Sequence, residues 1–246
     1  MKSTPKSSWM LQLCGMPATK TIAIVLPAHN EAKAIGHVLS RIPDKIGTMD
    51  VVSIVVDDGS SDRTAEIARL HQASVLRHIT NLGVGAATVT GLKAARALNA
   101  DIIVTMDSDG QHDPADILPM VECLTGGPFD VVIGSRLLDP AGMPISRFGA
   151  NLFLNLLTYF VYGKIVSDSQ SGFKAFSRTG LEAIDLKATG YEICSEIIGE
   201  IYRKNLRYKS LPIKAVYTDY SKAKGQPFLN GINLILGLLM RMVRRT

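Results

Sequence analysis

Two aspartates, Asp107 and Asp109, stand two positions apart in the stretch TMDSDGQHDP at 105–114. In an extended chain, side chains at i and i+2 point the same way, so both carboxylates converge on one point. Such a pair is costly unless a cation or a set of backbone donors lies nearby. A hard divalent ion, Mg2+ or Mn2+, suits oxygen ligands, and Mg2+ commonly takes one or two carboxylates plus the phosphates of a substrate. Gly110 lets the chain turn sharply, and Gln111 offers an amide oxygen. Asp113 precedes Pro114 and reads as a helix N-cap with Pro at the first helical position. His112 is expected to be solvated.

The elements that must hold this motif follow from apolar periodicity. Strands are expected at 21–26 (TIAIVL), 51–56 (VVSIVV), 73–79, 101–106 and 129–133. Between them, Ile35, Val38, Leu39 and Ile42 follow the spacing of a one-sided helix. Further helices are expected at 62–70 with Ser61 as N-cap, at 86–98 after the NLGVG loop, and at 114–124. Continuous apolar strands alternating with amphipathic helices imply a mostly parallel sheet covered on both faces. Ligands of such sheets bind beyond the carboxyl ends of the strands. Three polar clusters fall there: Pro27 to Glu31, Asp57 to Ser60, and Asp107 to Asp109.

After residue 134 the pattern changes. An apolar helix is expected at 148–162, with Asn151, Asn155 and Tyr159 in a stripe and an apolar face that packs on the domain or meets lipid. A helix at 192–204 and an extended stretch at 207–217 follow. A last helix at 227–245 is amphipathic and basic, which suits an anionic membrane surface.

Composition bounds the rest. The 246 residues, 46% apolar and 20% charged, can bury a core. From residue 201 onward ten Lys and Arg face a single acid, Asp219, while the first 200 residues hold 17 basic and 21 acidic groups. A basic end suits phosphate, a membrane surface or nucleic acid. Cys14, Cys123 and Cys194 have no metal-ligand spacing and read as reduced thiols of a cytoplasmic protein. Residues 1–20 read as a flexible tail, since the apolar patch Trp9–Leu13 is too short for a signal peptide. No apolar run approaches the ~20 residues of a transmembrane helix.

The motifs LPAHNE (26–31), VVDDGSSDRT (55–64), NLGVGAA (81–87), MDSDGQHDP (106–114), IGSR (133–136) and DSQSGF (168–173) occur in order over about 21–220. Together they resemble the family 2 glycosyltransferases of the glycosyltransferase-A fold, and within them the dolichyl- and polyprenyl-phosphate mannose or glucose synthases. The resemblance implies a Rossmann-like α/β domain over 21–220, with a nucleotide-binding half at 21–113 and an acceptor half at 114–220. A basic loop and amphipathic helix would follow at 221–246. It implies that Pro27, His29 and Glu31 line the nucleotide pocket and that Asp58 bonds the base or ribose. Asp107, Asp109 and Gln111 would hold Mg2+ or Mn2+ on the diphosphate, with Asp109, Arg136 and Arg147 as the catalytic set. Arg136 would face the donor sugar or diphosphate. The Ser171-Gly172-Phe173 turn would lie near the acceptor, and Lys222 and Lys224 would belong to a loop that closes on the phosphates. Where the family often places an Arg just before the Ile-Ser pair, here Ile145-Ser146, this chain reads AGMP (141–144); Arg147 follows and is the candidate for the acceptor phosphate.

The implied reaction moves a hexose, with inversion, from a GDP- or UDP-sugar to a polyprenyl phosphate. The implied partners are a membrane surface, since the chain is expected to be peripheral on the cytoplasmic face, and a membrane-protein partner, but no nucleic acid. A lipid phosphate is already an anion and needs no base, whereas a sugar hydroxyl does. An acceptor hydroxyl is therefore the alternative, with Glu192 or Glu196 of the Glu192, Glu196, Glu200 face as base. A noncatalytic nucleotide-sugar-binding protein and nucleotidyl transfer are the readings outside glycosyl transfer.

Overall fold

A computed structural model describes residues 19–163 and 166–216. Its strands are β1 (Thr21–Ala28), β2 (Lys45–Ile46), β3 (Met49–Asp57), β4 (Ser74–Arg77), β5 (Ile102–Thr105), β6 (Val131–Ser135), β7 (Lys174–Ser177) and β8 (Tyr208–Pro212). The helices are α1 (Ile35–Ser40), α2 (Thr64–Leu70), α3 (Val84–Ala97), α4 (Ile117–Gly126), α5 (Ile145–Tyr162), α6 (Arg178–Ala183) and α7 (Ile193–Arg203). The expected tail at 1–20 and the C-terminal helix at 227–245, with Lys222 and Lys224, lie almost wholly outside the described residues.

The sheet runs β2-β3-β1-β5-β7-β6-β8, with β4 also on β3. β1 is parallel to β3 and β5, β3 to β4, and β6 to β8. The expected order of parallel units breaks once. β7 inserts antiparallel between β5 and β6, a strand the sequence did not announce because KAFS is short and begins with a lysine. Two antiparallel pairings leave β6 pointing the same way as β5. The carboxyl ends of β1, β3, β5 and β6 therefore share one edge, and the turn entering β7 meets them there.

Alternation along each strand divides the core. Ile22, Ile24 and Leu26 face α1, α2 and α4, while Ala23 and Val25 face α3, α6 and α7. Each fully buried Ile or Leu of this kind contributes roughly 1.5–3 kcal/mol, and together they clamp the sheet whose edge carries the polar segments.

Capping refines the expected boundaries. Asp113 accepts from Ala115 N–H at 2.9 Å ahead of a 3-10 turn at Pro114–Asp116, as its position before proline indicates. Ser61 does not cap α2. Asp62 takes the Thr64 N–H at 3.0 Å, and the Ser61 N–H is turned to Asn30 at 2.9 Å.

Candidate active site

The chain passes from β1 outward to β3 and β4, then returns to the other side of β1 with β5. This reversal opens the crevice in which open α/β sheets bind ligands. Ser108, just beyond β5, closes its floor by donating to the Pro27 carbonyl at 2.7 Å.

On the β3 side, Asp58 is buried, and its carboxylate accepts from the amides of Leu82 (2.9 Å) and Gly83 (2.8 Å). His78 Nδ1 lies 2.7 Å from the same carboxylate, and His78 Nε2 lies 3.0 Å from Thr90 Oγ1. The expected ligand of a base or ribose thus ties the NLG loop to β3. His29 Nδ1 meets the Asp58 carbonyl at 2.8 Å, and the N–H of the buried Glu31 donates to the Thr64 hydroxyl, also at 2.8 Å. Arg77 Nε stands 3.1 Å from the fully buried Asp57 Oδ2, an oxygen that has no hydrogen bond of proper geometry.

At the end of β5, Asp107 keeps 41% of its side-chain surface open to the crevice. Protein mass still surrounds its carboxylate closely. Burial pushes the Asp107 carboxyl up, against the charges of Arg136 and Lys174 and with help from Asp168. Asp109 is also pushed up, first by burial and then by the charge of Asp107. Asp109 accepts from Gln111 at both oxygens, from the backbone N–H at 2.9 Å and from Nε2 at 2.5 Å. The Gln111 amide oxygen faces Arg147 at 3.4 Å. Gln111 therefore bridges Asp109 and Arg147.

His112 departs from expectation. It is 2% exposed, stacks on Phe173 with ring centroids 5.0 Å apart, and accepts the Asp107 N–H at Nδ1 (3.2 Å). Burial, then the charge of Arg136, pulls its pKa down to about 4, so the ring is neutral at pH 7. Beside it the chain returns: Ala215 pairs with His112 and the Val216 N–H donates to the Gln111 carbonyl at 2.9 Å. The segment that leads to Lys222 and Lys224 thus leaves the described residues next to the Asp-x-Asp motif.

Arg136, at the end of β6, does not reach freely into the crevice. Its Nε and Nη2 grip Asp168 at 2.8 and 2.9 Å, and its N–H bonds the same carboxylate at 3.1 Å. Burial opposes both charges. The bidentate pair outweighs it, holding Asp168 below the usual carboxylate range and Arg136 firmly protonated. Asp168 opens the DSQSGF segment, which α5 and α7 clamp in place. Asn155 accepts the Ser169 N–H at 2.7 Å, and Gln170 donates to Ser195 at 2.8 Å. Ser171 is buried, and the Gly172 carbonyl accepts from Thr105 at 2.8 Å. Lys174 is fully buried and donates to the Ser171 carbonyl.

The two carboxylates, both pushed up by burial and Asp109 also by the charge of Asp107, fit a hard cation. Gly172 keeps the space beside Asp107 clear, since a β-carbon there would lie 2.4 Å from Asp107 Oδ1. No group of three or more His, Cys, Asp or Glu able to enclose a metal exists among the described residues. Two carboxylates are what Mg2+ commonly takes from a protein.

Residues 23–185 match the family model described as glycosyl transferase family 2. The chain belongs to that family. It is an enzyme of family 2, and it is 40% identical over 90% of its length to a protein of Methanocaldococcus jannaschii called uncharacterized protein MJ1222, covering 92% of that protein. It is 37% identical to a UDP-N-acetylglucosamine–dolichyl-phosphate N-acetylglucosaminyltransferase of Methanococcus voltae, over 91% of this chain and 96% of that one. Glucosyl-3-phosphoglycerate synthase of Mycobacterium tuberculosis, crystallised with Mn2+, UDP-glucose and phosphoglyceric acid, superposes with a TM-score of 0.64 at 27% identity, over 92% of this chain and 80% of that one. This family membership accords with the glycosyltransferase-A architecture expected from the motifs.

At this edge the structure brings together Asp107, Asp109, Gln111, Arg136, Arg147, Ser171 and Gly172. It also adds Asp168 and Lys174, whose only signal in the sequence is their place in and after DSQSGF. Two members of the acidic face on α7 hold backbone amides. Glu196 takes the amides of Lys187 (3.0 Å) and Ala188 (2.7 Å), and Glu200 takes the Asp185 amide (3.0 Å) and pairs with Arg203. Both are buried.

Proposed function

We propose that this family 2 glycosyltransferase moves a sugar from a nucleotide diphosphate sugar to a polyprenyl or dolichyl phosphate, with inversion at the anomeric carbon. The observation that carries the reading is the commitment of the carboxylates around the crevice. Asp58 is held by loop amides, Asp168 by Arg136 and Glu196 by the amides of 187–188. An acceptor hydroxyl needs a base to take its proton. A phosphate monoester is already an anion and needs only positioning. The name of the M. voltae relative points to the same acceptor class.

In this reading an acceptor phosphate oxygen attacks the anomeric carbon as the bond from that carbon to the diphosphate breaks. The nucleoside diphosphate leaves with the electron pair, and no proton transfer is required. Asp107 and Asp109 would hold Mg2+ or Mn2+, which would supply charge for the leaving diphosphate. Pro27, His29 and Glu31 shape the nucleotide side. Asp58 acts there through the NLG loop it fixes. Arg147, reaching Gln111 from the first turn of α5, orients the acceptor phosphate. Arg136, oriented by Asp168, faces the donor sugar. Lys222 and Lys224, which lie outside the described residues, would supply positive charge for the phosphates.

The lipid tail has a surface to follow. α5 exposes Ile145, Leu152, Phe153, Leu156 and Phe160, while its Asn155 and Thr158 face the DSQS segment. We read this face as lying on the cytoplasmic leaflet. Among the described residues no helix is long and apolar enough to cross a membrane.

The test incubates purified protein and polyprenyl phosphate with Mg2+ or Mn2+ and labelled UDP-N-acetylglucosamine, UDP-glucose or GDP-mannose in parallel. Label from one donor should enter the organic phase, and EDTA should stop it. Transfer only to a soluble sugar, lost in Glu192→Gln, would favour the hydroxyl acceptor instead.

A further inference from the structure

We infer that Lys174 is a positioning residue for the metal-nucleotide site, acting on Asp107 through the Ser171–Gly172 turn. The inference rests on the reading of Asp107 and Asp109 as the metal-holding pair.

Lys174 begins β7, where its backbone lies between Thr105 of β5 and Ile133 of β6. Phe173 and Ala175 belong to the core on the α4 side and Phe176 to the core on the α7 side. Alternation therefore sends the Lys174 side chain toward α7, where no part of it reaches solvent. A lysine is seldom fully buried without paired charge. Here its ammonium donates to the Ser171 carbonyl, and its charge is felt at both Asp107 and Asp168. Asp107 and Asp168 are balanced by Arg136 and Lys174.

The hydrogen bond matters because of what the turn touches. Ser171 leads directly into Gly172, whose backbone lies against the Asp107 carboxylate so closely that a β-carbon would sit 2.4 Å from Oδ1. Thr105 fixes the far side of the turn through the Gly172 carbonyl. Lys174 thus anchors one end of a wall that holds Asp107 beside Asp109. Without the ammonium the Ser171 carbonyl loses its donor. Arg136 is left to balance both carboxylates, and Asp107 is drawn toward it and away from Asp109.

The test uses Lys174→Met, close in shape but uncharged, and Lys174→Arg. Mn2+ binding is read by the electron paramagnetic resonance of free Mn2+, with UDP and with GDP present, and thermal melting reports folding. For the folded Met variant the expected result is Mn2+ affinity weakened roughly tenfold to a hundredfold, the range for groups that orient metal ligands. The Arg variant should recover most of it. Melting alone could not distinguish this role from a packing role, but the metal affinity and its rescue by Arg do. A folded Met variant that binds Mn2+ as the parent does, or an Arg variant no better than Met, overturns the inference while leaving the metal pair standing. A parent protein that binds no Mn2+ with either nucleotide, indistinguishable from Asp109→Asn, overturns both.

Discussion

Gly172 and Asp107 come from segments 65 positions apart, yet they touch so tightly that a single β-carbon on Gly172 would lie 2.4 Å from Asp107 Oδ1 and 3.0 Å from Cγ. The turn expected near the acceptor is therefore also a wall of the Asp-x-Asp site. Gly172→Ala must displace the carboxylate, because the turn is pinned by Thr105 and Lys174. Misplacement of a reacting array by about 1 Å costs on the order of 10²-fold in rate. A fall of that size in kcat is expected, with the circular dichroism spectrum preserved.

Asp109 illustrates a conflict between stability and function. Its carboxyl is pushed up by burial first and by Asp107 second. A carboxyl whose folded pKa lies above its unfolded value favours folding in its protonated form, and that advantage is lost as pH rises through the folded pKa. Ionised Asp109 is thus a liability in metal-free protein at neutral pH. Asp109→Asn should raise the melting temperature at pH 7 without metal and lose sugar transfer. Differential scanning calorimetry over pH 4–8 checks the sign, and the difference between variant and parent should shrink toward the acid end.

Glu196 holds the 187–188 loop by its backbone, and this loop continues into Thr189, whose carbonyl accepts the Ala86 N–H at 3.0 Å at the start of α3. Hydrogen bonds to a charged group contribute roughly 1.5–3 kcal/mol each. Glu196→Ala should lower the unfolding free energy by about 2 kcal/mol in urea titration. Activity per folded molecule should persist, unlike the loss expected of a catalytic base.

The apolar face of α5 is expected to matter only when the acceptor is in a bilayer. Phe153→Glu with Leu156→Glu should weaken sedimentation with anionic vesicles. Transfer to a short, water-soluble prenyl phosphate should be retained. Equal loss with both acceptors would contradict a membrane role for this face.

Much of this was legible because β-branched runs and helical spacing are local signals. The strands ending at Ala28, Asp57 and Thr105 and the Asp113 cap all follow from neighbours in sequence. What escaped was long-range. KAFS becomes a central strand only because β5 and β6 both need a partner, and Lys174 is buried where its charge is felt by Asp168 and by Asp107, the latter from a distant segment. Asp58, the expected partner of the base or ribose, also holds the amides of Leu82 and Gly83, a loop contact that its own neighbours in sequence do not announce. His112 looked solvated because nothing nearby announces Phe173. Glu196 and Glu200 shared a helical face as expected, but backbone amides supplied from a loop before α7 turned that face inward.

The proposal that a phosphate anion, rather than a hydroxyl, attacks the donor is tested most directly by the covalent linkage in the product. Polyprenyl phosphate and the corresponding free polyprenol are offered side by side with the donor that the protein uses, and the lipid products are analysed by tandem mass spectrometry. The expected product retains the phosphate between prenyl chain and sugar, forms only from the phosphorylated lipid and is absent with Asp109→Asn. A sugar joined directly to the polyprenol oxygen, or equal transfer to both lipids, would contradict it.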